Sequence, residues 1–67
     1  MSISTKNQLI HAMLKKEICS RNLFETFCLY ANGLLPFEAV EDVCKDEAID
    51  FNQLCLNQGL NPEEIRP

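Results

Sequence analysis

The stretch Ala31-Asn32-Gly33-Leu34-Leu35-Pro36-Phe37-Glu38 constrains the fold of this chain more than any other. A glycine directly after a helix takes the left-handed conformation without a Cβ clash and closes the helix. Pro36 suits the first turn of a new helix, where its missing N–H is not needed. Glu38 then falls near the positive end of that helix. One helix must therefore end and another begin within a few residues, and the two halves of the chain must pack on each other. Gly59-Leu60-Asn61-Pro62-Glu63-Glu64 repeats the pattern Gly-Leu-x-Pro-x-Glu. The segments between the two do not match, so shared capping chemistry explains the repeat better than duplication.

Apolar spacing divides the rest. Thr5-x-x-Gln8 fits a capping box, and Leu9, Ile10, Met13, Leu14 and Ile18 then form one stripe, which predicts a helix over 6–18. Glu17 falls inside that stripe, so the helix leaves the core, bends or ends near it, with Arg21 as a partner one turn on. Asn22-x-x-Glu25 opens a second helix over 22–32, with Leu23, Phe24, Phe27, Cys28 and Ala31 on one face and Tyr30 on its flank. Leu29 points away from that face, towards solvent or a partner. Neither Gly nor Pro occurs between Thr5 and Asn32, so a single kinked helix is the alternative; the failure of the stripe at Glu17 and Ser20 favours two.

The third helix, 36–45, has Phe37, Val40, Val43 and Cys44 on one face and Glu38, Glu41, Asp42 and Lys45 on the other. Extending it would put Glu47 on the apolar face, so it stops near Lys45 or Asp46. The fourth, 47–58, takes Asp46 as its N-cap and sets Phe51, Leu54 and Cys55 opposite Ile49 and Leu56. A helix apolar on two sides is central in a core or binds something. Asn61 caps a final turn. The sequence thus predicts an all-α fold: one domain over 1–67, an array of about four short helices with a C-terminal turn.

A chain of 67 residues buries only about 60% of its unfolded surface. Its hydrophobic fraction of 46%, with four Phe, supports a small core that a homodimer would enlarge. No apolar run approaches the roughly 18 residues that cross a membrane. The N-terminus shows no apolar segment followed by a small-residue cleavage site, so a cytoplasmic location is expected. Cys19, Cys28, Cys44 and Cys55 form no CxxC pair. Phe24, Val40 and Phe51 precede Cys28, Cys44 and Cys55 at helical spacing, which predicts reduced thiols, mostly in the core, rather than a metal site.

Catalytic signatures are missing. There is no Gly-rich phosphate loop, HExxH, GxSxG or EF-hand loop. His11, the sole histidine, has no partner nucleophile or ligand set in view. The carboxylates between Glu38 and Asp50 fall on a solvated face, where general acid–base work is not expected of them. A domain this small is expected to lack room for a ligand pocket of roughly 300 Å³ or more. Neither an enzyme nor a cofactor is expected.

Charge is segregated into a basic front (Lys6, Lys15, Lys16 and Arg21) and an acidic middle from Glu38 to Asp50. An acidic face suits a basic partner. The expected function is that of a small cytoplasmic regulator or adaptor acting through protein–protein contact at Leu29, Ile49, Leu56, Glu38, Glu41 and Asp42. The alternative is a helix-turn-helix DNA-binding regulator built from the third and fourth segments. Its recognition helix would carry Asp46, Glu47 and Asp50 with no Lys or Arg, the wrong sign for phosphates. Asn52, Gln53, Asn57 and Gln58 could read bases only if Lys15, Lys16 and Arg21 supplied the affinity, so nucleic acid is not the expected partner.

Overall fold

The computed structural model describes residues 4–66. Four helices follow in order: α1 (Thr5–Lys16), α2 (Arg21–Ala31), α3 (Phe37–Asp46) and α4 (Phe51–Asn57), then a 3-10 turn at Pro62–Glu64. The all-α array is as expected, the described residues hold no strand, and the first two segments are separate helices.

The starts are set by side-chain oxygens that accept orphan N–H groups. Ser4 caps α1, accepting from the N–H of Asn7 at 3.3 Å. The cap falls one residue before Thr5, whose hydroxyl instead donates to Glu64 at 2.7 Å. Ser20 caps α2, accepting from Leu23 at 3.1 Å. Asn22, expected in that role, sends its amide to Glu47 at 3.4 Å, which links the start of α2 to the end of α3. The fourth helix does not begin at 47. Asp46 is the last residue of α3, and Asp50 caps α4 by accepting from Gln53 at 3.2 Å. Asn61 caps the terminal turn as expected, accepting from Glu63 at 3.0 Å.

The ends are of two kinds. α1 stops at Lys16, short of the expected Ile18, because Glu17 turns left-handed at φ 48°. Its carboxylate does not meet Arg21, which pairs with Glu25 at 3.1 Å. That pair is 90% and 60% exposed and is worth little. The other three helices close by one shared motif, in which two N–H groups beyond the helix fold back on its last free carbonyls. Leu34 donates to Leu29 and Gly33 to Tyr30; Ile49 donates to Cys44 and Ala48 to Lys45; Leu60 donates to Cys55 and Gly59 to Leu56, all at 2.8–3.2 Å. The left-handed residues are Gly33 (φ 77°), Ala48 (φ 55°) and Gly59 (φ 73°).

Ala48 alone of the three carries a Cβ into that conformation, a cost of about 1–2 kcal/mol that the greater backbone freedom of glycine in the unfolded chain partly offsets. Ala48→Gly is therefore expected to stabilise the fold by about 0.5–1 kcal/mol, read from the urea midpoint. A lowered midpoint would show that the closure of α3 is unstrained.

Four aromatic rings from α2, α3 and α4 form the centre. Phe27 lies 5.7 Å from Tyr30 and 6.0 Å from Phe51, and Phe37 lies 5.1 Å from Tyr30 and 5.4 Å from Phe51. Leu9 and Met13 from α1 join this core, with Leu23, Val40, Cys44, Leu54 and Cys55. Leu14, assigned to the same stripe, lies outside it at 65% exposure. The terminal turn is an integral part of the core: Ile65 is fully buried, the Tyr30 hydroxyl donates to its carbonyl, and the Arg66 guanidinium lies 5.4 Å over the Phe37 ring.

Candidate interaction surface

The shared closing motif places an apolar pair side by side, one residue from the last helical turn and one just beyond the left-handed position. In α3 and α4 this pair turns inwards. Cys44 and Cys55 are buried, and Ile49 and Leu60 pack against the core. In α2 the same pair turns outwards: Leu29 is 42% exposed and Leu34 70%. Leu34 was not among the residues expected at a contact surface. The signal lay in the corner itself, since this closure brings Leu34 to Leu29.

Beyond the corner, Glu38, Glu41 and Asp42 stand on the outer face of α3 with Lys45 and Asp46, all exposed. The one ion pair among the described residues is that of Arg21 with Glu25, so the four carboxylates of this face outnumber its one cation, Lys45, and none is ion-paired. The corner thus offers an apolar pair at the edge of a negatively charged helix.

The expected line of Ile49 and Leu56 does not exist. Ile49 precedes α4 and packs half-buried on the core, because the closure of α3 turns it inwards. Leu56 does face away from Phe51, Leu54 and Cys55, at 57% exposure. It shares its face with exposed Asn52, Gln53 and Asn57, and single surface leucines of this kind are ordinary.

A second feature lies at the opposite end of α2. Met13, Leu14, Glu17, Cys19, Ser20, Arg21 and Phe24 line an open groove of about 540 Å³ between α1 and α2. It is an open surface hollow and not the enclosed ligand pocket for which so small a domain is expected to lack room.

No described side chain is buried with an unsatisfied polar atom, and no group of three or more His, Cys, Asp or Glu among the described residues is arranged to hold a metal. His11 is exposed on α1. All four cysteines are unpaired; Cys44 and Cys55 are buried and Cys19 and Cys28 half-buried. Burial raises every thiol above its ordinary 9.0, Cys19 being raised further by Glu47 and Cys28 by Glu25. Cys55 is pushed up to about 11, with Arg66 opposing the effect of burial. A protonated thiol is a poor nucleophile at neutral pH.

The raised value at Cys55 has a stability consequence. The folded state holds the proton more tightly than the unfolded chain, so this contribution is complete below the unfolded thiol value and is lost as pH climbs towards 11. The urea midpoint is expected to fall between pH 9 and 11, and less steeply in Cys55→Ala. Parallel profiles for the two proteins would show that Cys55 carries no such linkage.

None of the helices among the described residues is long and apolar enough to cross a membrane. Searches of protein families, curated proteins and solved structures find no match to this chain.

Proposed function

We propose that this chain is a small cytoplasmic interaction protein, a regulator or adaptor that works by occupying a partner's surface and performs no catalysis. The observation that carries this reading is the outward Leu29–Leu34 pair beside the acidic face of α3, where four carboxylates face one lysine. An apolar anchor with a charged rim is the anatomy of a contact surface. The complementary surface is apolar at its centre and basic at its edge.

The test is capture by the immobilised protein from its native lysate, run beside Leu34→Asp and Leu56→Asp. Both positions are well exposed, so both variants are expected to keep the helical signal of the parent. The captured chain, whether a different protein or further copies of this one, is expected on the parent and on Leu56→Asp and is lost on Leu34→Asp. Identical capture by all three removes the corner from the interface. Duplex DNA held at physiological salt, weakening steeply as salt rises, would favour the helix-turn-helix alternative instead.

A further inference from the structure

Both glycines of the chain follow an amide residue. Asn32-Gly33 closes α2, and Gln58-Gly59 closes α4 by the same motif. Asparagine and glutamine are thermolabile residues, and asparagine before glycine is the more reactive arrangement. The asparagine side chain has the length at which the next backbone nitrogen closes a five-membered ring on it. Glycine brings no side chain to obstruct that approach. Glutamine is one methylene longer and needs a slower six-membered closure.

The Asn32-Gly33 step is open to water. Both residues are exposed, and a Cβ at position 33 would meet no heavy atom within 4 Å. The closure of α2 nevertheless holds both reacting groups. The Asn32 carboxamide is turned back along the helix, where Nδ2 donates to the Cys28 carbonyl at 2.7 Å. The Gly33 nitrogen donates its proton to the Tyr30 carbonyl at 3.0 Å. The nucleophile is thus tied to one carbonyl and its target to another.

We propose that Asn32 is a self-modification site guarded by the closure of α2, converted from amide to acid by the Gly33 nitrogen whenever that closure opens. The nitrogen forms a bond to the Asn32 side-chain carbonyl carbon, the carboxamide C–N bond breaks, and the proton of Gly33 passes through solvent to the departing nitrogen, which leaves as ammonia. Water then opens the cyclic imide at either carbonyl. One opening gives aspartate; the other gives isoaspartate, with the main chain running through the former side chain.

Neither product restores the closure. A carboxylate has no proton for the Cys28 carbonyl, and it sets a negative charge at the negative end of α2. Isoaspartate also adds a methylene to the main chain between the carbonyls of α2 and the N–H groups of Gly33 and Leu34 that fold back on them. Leu29 and Leu34 are neighbours only through that fold. Resting on the reading of the corner as an interaction surface, the modification therefore retires that surface as the protein ages.

The full chain, aged at mildly alkaline pH and body temperature in buffer and in concentrated urea, is followed by peptide mass spectrometry. Acid is expected at Asn32 in both, as separable aspartate and isoaspartate forms, and at least about tenfold more slowly in buffer, because the folded chain reacts only through its opened population. Gln58, in the same motif, is expected to stay an amide over the same period. Asn32→Asp and Asn32→Ala both lose the Nδ2 bond and only the first adds charge, so the urea midpoint is expected to fall for both and further for Asn32→Asp.

An Asn32 amide that survives in urea, conversion of Gln58 at the same rate, or equal rates at Asn32 in the two media overturns the proposal. A midpoint for Asn32→Asp equal to the parent's overturns the effect on the closure. In the capture experiment Asn32→Asp is expected to hold less of the captured chain than Asn32→Ala, and undiminished capture overturns the effect on the surface. A parent that captures nothing overturns the interaction surface alone and leaves the modification site standing.

Discussion

Ile65→Ala is expected to destabilise the fold by about 2–4 kcal/mol, the usual range for truncating a fully buried aliphatic side chain. For a chain of this length total stability is of the order of 3–10 kcal/mol, so the loss removes a large share of it. The residue lies two positions from the end of the chain, where most substitutions are harmless. Here the terminal turn closes the aromatic centre. Ile65 fills it, its carbonyl takes the Tyr30 hydroxyl, Arg66 covers Phe37 and meets Asn52, and Glu64 ties back to Thr5 at the start of α1. Losing the side chain leaves a cavity and loosens contacts to all four helices. Urea denaturation followed by circular dichroism measures the effect, and Ile65→Val should cost only about 0.5–1.5 kcal/mol. An Ile65→Ala midpoint equal to the parent's would mean that the turn merely rests on the fold.

Gly33→Val is expected to cost more than about 1 kcal/mol, because a β-branched residue resists the left-handed region that position 33 occupies. A Cβ at this position would meet no heavy atom within 4 Å, so the loss is conformational and not steric crowding by neighbours. Gly33→Asn separates the two causes, since asparagine tolerates the left-handed conformation and should cost clearly less than valine. Equal losses for both, or none for either, would mean that φ at Gly33 does not limit how α2 ends. Together with Ala48→Gly, these variants test one closing motif at two corners with opposite signs.

Much of the fold was legible because helix ends are local chemistry. Gly33 and Gly59 announce left-handed closures, Asn61 announces a cap, and the misplacement of Glu17 on an apolar stripe marks the end of α1. Ala48 announces nothing, since alanine is the best helix former, and so local pattern alone puts the start of α4 at 47, four residues early. Ser4 and Thr5, like Ser20 and Asn22, are pairs of equally good capping side chains. Nothing local separates them; Ser4 and Ser20 won in a fold whose helices bury Leu9, Met13, Leu23 and Phe27.

The acidic face of α3 was readable residue by residue, because Glu38, Glu41 and Asp42 repeat at helical spacing opposite Phe37 and Val40. The contact surface as a whole was not. Leu29–Leu34, Cys44–Ile49 and Cys55–Leu60 are the same local pair in the same motif, and local interactions cannot say which pair meets a neighbouring helix and which meets water. By itself the sequence determined four helices, their corners and the segregation of charge, all of which depend on residues within a few positions of one another. Only the tertiary structure decided that Ile49 turns in, that Leu14 and Leu34 turn out, and that Ile65 closes the centre, because burial depends on what distant segments of the chain bring to the same place.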